Sequence, residues 1–272
     1  MVLNVLRVSV PLLLVSIGAL VSEYAGVTAI FLEGTVNLSA FLFLVFLTYT
    51  KNIFAAFCLS LGCTCLSVFL LALFSQKRRA DIFLLGLAFN LFSGSIISIL
   101  SSFFFGTNGV VECPKVFPAS VFFQTGASVL IWLFVLAFAV FFEIMPLGLK
   151  IRFAGTDPDA LRINGINVLL LRVCSWVFAA FFSSVAGIIM VTRLQAFVPG
   201  ISSGKGWLAL VVVFLSRKSF AGVVTAVLLF SVLELAGISL QGRLGIPPTV
   251  LLSMPYVVVL IVFALVPKEK NR

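Results

Sequence analysis

Long apolar runs separated by short polar breaks fill this chain. They fall at roughly 8–22, 35–50, 52–75, 82–105, 122–145, 169–192, 222–240 and 249–267. A helix needs about 20 apolar residues to cross a bilayer core, and these runs approach or exceed that length. Two shorter apolar pieces, 25–32 and 206–215, are too brief to span as straight helices. Both are bracketed by Gly, in "GVTAIFLEG" and "GKGWLALVVVFLSRKSFAG". Short, Gly-interrupted segments in the two halves of a membrane chain point to broken helices near a translocation path, or to re-entrant helices that only pack. The pattern predicts an all-α fold. It is a polytopic integral membrane helical bundle of 8–10 membrane segments, some broken or re-entrant, in one transmembrane domain over residues 1–272.

Composition agrees. Of 272 residues, 62% are hydrophobic and 10% charged. No soluble domain can hide that much apolar surface, so lipid is the solvent for most of the chain. The net charge of +9 does not indicate nucleic acid. The basic residues lie in short loops between apolar runs, and no basic stripe with interleaved aromatics is present. Among the five Cys, four sit in apolar runs as small packing residues, and Cys113 lies in a loop without an obvious mate. There is no His, which removes His-based catalysis and most Zn, Cu and haem sites; no metal or cofactor is called for. The first 25 residues imitate a signal peptide, but more spans follow at once, so the segment reads as an uncleaved first span.

Charge sets the orientation. The cytoplasm is assigned the N-terminus, residues 76–81, 148–168 and 216–220, and the C-terminus. Most basic residues then lie inside, among them Arg7, Lys77, Arg78, Arg79, Lys150, Arg152, Arg162, Arg217 and Lys218, while Lys51, Lys115, Arg193, Lys205 and Arg243 lie outside. This arrangement requires the 25–32 piece to turn back into the membrane. Helix packing has a seam: Ala179, Ser183 and Gly187 recur every four residues with Ala180 and Ser184 beside them, a spacing that lets helices approach closely in lipid.

The stretch "KIRFAGTDPDALRINGIN", residues 150–167, is a polar island in this apolar chain. Thr156 or Asp157 can cap a helix, Pro158 suits its first position, Asp159 its first turn and Gly165 its end. A short helix on the inner face, with an acidic start that anionic headgroups would repel, reads as a docking knob for a protein. Residues 200–206, "GISSGKG", imitate a phosphate loop but miss its spacing and its Ser or Thr. Glu33 and Glu234 are the acids at membrane depth, where a charge costs about 2.5–3.5 kcal/mol on insertion scales. Such acids face a cavity, a partner group or a neighbouring helix. Glu33, Gly34, Asn90 and Glu234 are the candidates for a translocation path, with Ser93, Ser95 and Gln124 as weaker ones. No Ser, Cys or Lys stands in an arrangement that points to nucleophilic catalysis.

Together these motifs resemble the permease family of bacterial ABC importers for simple sugars and nucleosides. The resemblance is strongest to its nucleoside-type, basic-membrane-lipoprotein-associated branch. Three blocks carry it: "PLLLVSIGALVSEYAGVTAIFLEGTVNLSAF", "GLKIRFAGTDPDALRINGINV" and "GKGWLALVVVFLSRKSFAGVVTAVLLFSVLE". Ala29 stands where the family often has Asn, Phe31 where it has Gly, and Phe220 near a usual Pro. The resemblance implies a multi-pass protein of the bacterial inner membrane. It also implies that the island is a coupling loop, at about 148–168, for a cytoplasmic ATP-binding subunit. Gly155, Asp157, Pro158, Ala160, Gly165 and Ile166 match that block, and Asp159 lies within it. The implied partners are that ATPase, a second permease, identical or paralogous, and an extracytoplasmic substrate-binding lipoprotein meeting loops 106–121 and 193–205. The subunit itself would be no enzyme. The implied cargo is a nucleoside, with riboflavin or a simple sugar as alternatives. A secondary transporter is the rival reading, and it would need Glu33 or Glu234 as a titrating or ion-binding group.

Overall fold

The small-residue seam lies at the centre of the molecule. The computed structural model describes residues 2–78, 80–114 and 121–244. In it, α8 (Val168–Leu194) packs against α1 (Val2–Tyr24), α2 (Leu32–Thr50) and α3 (Ile53–Arg78). Ala179, Ala180, Ser183 and Ser184 are fully buried. Each seam position meets a different neighbour. Gly18 of α1 sits against the Ala179 backbone, and a Cβ added there would come within 3.0 Å of it. Ser183 shares a 2.8 Å hydroxyl hydrogen bond with Thr35 of α2, and Ser184 one of 2.7 Å with Thr64 of α3. Gly187 accommodates the backbone of α2 at Val36. Small side chains let these backbones approach, and the hydroxyl pairs add polar links where water is absent.

Around this core stand α4 (Ile82–Phe105), α5 (Val121–Ile144) and α10 (Phe220–Leu244). The remaining helices are α6 (Pro146–Thr156), α7 (Pro158–Ile163) and α9 (Lys205–Leu215). Among the described residues seven helices are long and apolar enough to cross a membrane, and α9 adds a half-length one. The predicted run at 249–267 lies outside the described residues. Two short strands, β1 (Val111–Glu112) and β2 (Ala196–Phe197), pair antiparallel and tie the two outer loops together. Capping follows the sequence: Asp81 accepts from the Phe83 and Leu84 N–H groups at the start of α4, and Gly106 ends that helix in the left-handed conformation.

The first helix runs opposite to the predicted direction. Arg193, at the end of α8, donates to the Arg7 carbonyl and to Ser128 Oγ. The end of α1 lies at the other face, where Glu23 pairs with Lys218 at 3.0 Å and Tyr24 stacks near Phe142. Arg7 therefore belongs to the outer side with Lys51 and Arg193. The inner ends still hold Lys77, Arg78, Lys150, Arg152, Arg162, Arg217 and Lys218, so the excess of positive charge survives this correction. Charge counting failed at Arg7 because one residue near a chain end carries little weight against packing.

Candidate functional site

Residues 25–31 do turn back into the membrane, but from the inner face, where α1 ends, rather than from the outer face that an inside N-terminus required, and without helical structure. Gly26 makes the reversal with φ +71°, and Ala25, Val27, Ala29 and Phe31 are buried. Irregular backbone at this depth needs protein partners for its polar groups. Here Trp176 Nε1 donates to the Val27 carbonyl at 3.3 Å, and Asn90 Nδ2 donates to the Ile30 carbonyl at 2.8 Å. The Phe31 ring lies 4.8 Å from that of Trp176. This strap delivers the chain to the start of α2 at the level of Ser183, close to the middle of α8.

Two helices thus begin at mid-membrane. The N-terminus of α2 runs outward from here and that of α9 runs inward, and each exposes unpaired N–H groups. Side chains from elsewhere satisfy them. Asn90 of α4 accepts from the Gly34 N–H at 2.8 Å while holding the strap with its other atom. The Glu33 carboxylate accepts from Gly204 N–H at 3.0 Å, from Gly206 N–H at 2.8 Å and from Ser202 Oγ. Asn37, one turn along α2, donates to Ser202 Oγ at 2.8 Å and accepts from Ser202 N–H at 3.1 Å. Glycine is required on both sides. A Cβ on Gly206 would lie 2.5 Å from the Glu33 nitrogen, and one on Gly34 would lie 2.8 Å from Asn90 Oδ1. Lys205, the first residue of α9, pairs with Glu234 of α10 at 2.8 Å, with side chains 13% and 23% exposed.

Beside this junction lies a cavity of about 240 Å³. Glu33, Gly34, Asn37, Asn90, Ser93 and Ser98 line it, and Asn108, Phe197 and Pro199 close it toward the outer loops. Its volume falls just below the usual range of small-molecule pockets, about 300–1,000 Å³. The structure brings three of the four predicted residues together here, Glu33, Gly34 and Asn90. Glu234 is reached through Lys205. Ser95 is exposed on the far side of α4 and bonds its own helix, and the Gln124 side chain lies outside the described residues. Asn37, Ser202 and Lys205 were missed. Asn37 carried a signal, since it follows Glu33 by four residues on one helix face. Ser202 and Lys205 carried none, because "GISSGKG" reads as an outer loop. It instead dips to the Glu33 level, which corrects the outer placement of Lys205.

At the inner face the polar island folds as two helices. Residues 146–156 form a helix of their own, ahead of the short helix expected from Asp157 onward. Asp157 then caps α7, its side chain accepting from Ala160 N–H at 3.0 Å, with Pro158 at the first position and Asp159 in the first turn. Asn164 closes α7 and Gly165 follows with φ +71°. The helix is shorter than two full turns. Its tip presents Ile163, 87% exposed on a polar face. Gly155 packs against Gly26 in the turn that opens the strap, and Arg152 lies over the Tyr24 ring at 4.7 Å. Ile166 and Arg162 border a separate inner groove.

A family model described as branched-chain amino acid transport system / permease component matches residues 1–267. The nucleoside ABC transporter permease protein NupC of Lactococcus lactis subsp. cremoris is 28% identical, covering 97% of this chain and 91% of that protein. The guanosine ABC transporter permease protein NupQ of Bacillus subtilis is 25% identical over 92% of this chain and 86% of its own. The ribose import permease protein RbsC of Haemophilus influenzae is 34% identical over 32% of this chain and 29% of its own. No solved structure matches at the same stringency.

Proposed function

The chain belongs to the family of branched-chain amino acid transport system permease components, and from that premise we propose that it passes a neutral polar solute of the nucleoside type through an ATP-driven importer. Permeases of ABC importers work with a separate ATPase subunit and a substrate-binding protein. In this reading ATP is hydrolysed only in the ATPase, and the chain pairs with a second permease, identical or paralogous. The binding protein is lipid-anchored and meets the outer loops that β1 and β2 hold together. The relatives named for nucleosides and guanosine, each matched along most of their length, support the cargo class.

One observation carries the choice of a neutral cargo. The junction holds the charges of Glu33, Lys205 and Glu234, together with two helix N-termini worth about +0.5 each. These cancel. A cavity with no net charge, lined by the amides of Asn37 and Asn90 and the hydroxyls of Ser93 and Ser98, suits a solute rich in hydroxyl and amide-like groups. Among the described residues it offers no free cation for an amino-acid carboxylate.

Coupling follows from the inner face. The ATPase docks on α7 around Asp157, Pro158, Asp159, Ala160, Gly165, Ile166 and the exposed Ile163. Movement of α6 bears on Gly26 through Gly155, and the strap passes it to Gly34, Asn90 and Glu33. Such a shift biases the bundle between outward- and inward-open states. The test is uptake by the purified importer complex in ATP-loaded proteoliposomes, with radiolabelled uridine, guanosine, ribose, riboflavin and leucine offered separately. Nucleosides are expected to accumulate and leucine is not. Accumulation of ribose or riboflavin alone would replace the nucleoside assignment. Asp157→Arg, Pro158→Gly and Ile163→Asp should each abolish ATP-driven uptake and leave the bundle folded.

A further inference from the structure

A second cavity, distinct from the mid-membrane junction, lies at the inner face. Its volume is about 550 Å³. The end of α3 (Ser75, Gln76), the start of α4 (Ile82) and the first turn of α8 (Asn167, Val168, Leu169, Arg172) form its walls, with Arg162 of α7 at its rim. Three membrane helices begin or end here, so the groove sits where hydrocarbon gives way to headgroups.

The chemistry of the walls is one-sided. Among the described residues no acidic side chain lines the groove. Of the nearest acids by sequence, Asp81 caps α4, and Asp159 pairs at 2.9 Å with Arg162 at the rim, leaving the inner end of the groove without a carboxylate among the described residues. Arg172 has no carboxylate within ion-pair reach among the described residues, and its Nε is buried without a hydrogen-bond partner. Ser75 is 2% exposed, and its Oγ is likewise buried and unpartnered. A helical serine ordinarily bonds a carbonyl of the preceding turn. Buried polar groups left unmade cost stability, so two in one groove need an explanation. The positive end of the α8 dipole reinforces the same polarity.

We propose that this groove binds a phosphate ester, with the Arg172 guanidinium and the Ser75 hydroxyl as its inner donors and Gln76 and Arg162 at its mouth. A planar guanidinium meets a phosphate with two parallel N–H bonds, which a lysine does not reproduce. The apolar remainder of the wall, Ile82, Ile166, Val168 and Leu169, suits the glyceryl and first acyl carbons of a phospholipid. A soluble phosphate monoester offers the same anionic group.

The experiment uses the full chain, purified in mild detergent with the subunits that stay bound. Native mass spectrometry after equilibration with equal phosphatidylglycerol and phosphatidylcholine reads retained lipid, and thermal-shift titration with glycerol 3-phosphate reads the soluble source. Preferential retention of phosphatidylglycerol identifies a headgroup site. A saturable shift with glycerol 3-phosphate and no lipid preference identifies a soluble ester. Either signal should fall about five-fold or more in Arg172→Gln and in Ser75→Ala, and about two-fold in Arg172→Lys. Lys51→Gln, on the outer face, should change nothing. Each variant's unfolding temperature is compared with that of the parent, so that lost binding is scored only in folded protein. No lipid preference and no shift, or signals unchanged in both Arg172 variants, would overturn the site.

Discussion

Two sets of spanning helices differ sharply in this molecule although all are apolar enough to cross a bilayer. In α1, α2 and α8, 67–78% of the spanning window is buried, against 22% in each of α3, α4 and α5. The outer set turns large side chains such as Leu91, Phe92 and Phe103 toward lipid, as lipid-facing helices should. The inner set carries the Gly, Ala, Ser and Thr positions that touch other backbones. Hydrophobicity marks both sets as membrane spans, and small or polar residues decide which of them make the core. The contrast holds within α4, where Asn90 and Ser93 face the junction while Leu91 and Phe92 face lipid.

Substitutions that move one set toward the other test this contrast. The largest effect is expected at Gly187, whose Cβ position is already occupied by Val36 and Ser39 of α2. Gly187→Leu should cost about 3 kcal/mol or more through overpacking, read as loss of folded protein in the membrane. The matched change on the lipid side, Gly62→Leu, meets nothing within 4 Å and should stay within about 0.5 kcal/mol. Next comes Glu33→Ala. It strands the N–H groups of Gly204 and Gly206, at about 1–3 kcal/mol each, and should abolish uptake as well as lower the unfolding temperature. Lys205→Met leaves Glu234 unpaired, with an expected drop in uptake of about ten-fold, equivalent to about 1.4 kcal/mol. The swap Lys205→Glu with Glu234→Lys should restore part of it.

The smallest effect concerns Cys113 in the outer loop. Burial pushes its thiol up to about 11. The thiolate is the reactive form, and a raised pKa keeps it scarce at neutral pH. Maleimide labelling of Cys113 should therefore be slow at pH 7 and rise about ten-fold per pH unit through pH 9–10. An unperturbed thiol, near 8.5, would level off there.

Much of the bundle was legible because membrane spans follow from length and hydrophobicity alone. The seam at Ala179, Ser183 and Gly187 was legible for the same local reason, a four-residue spacing on one helix. Capping chemistry made α7 readable from Asp157 and Pro158. The junction was only half readable. Glu33, Gly34 and Asn90 stood out as polar residues or breaks in apolar surroundings. The Glu33 partners Ser202, Gly204 and Gly206 lie about 170 residues further along, in a stretch whose composition matches any polar loop. Contacts across that separation are set by how α2 and α9 pack, which no local pattern encodes. The direction of α1 was lost similarly, since Arg7 is held outside by its contact with Arg193 rather than by charge.

The most direct test of the account is the energy source of uptake by the purified complex in proteoliposomes. Labelled nucleoside should accumulate only when ATP is supplied on the α7 side, and ionophores that collapse proton and sodium gradients should leave the rate unchanged. Accumulation driven by an imposed ion gradient without ATP would contradict the account and make Glu234 and Glu33 the groups to titrate.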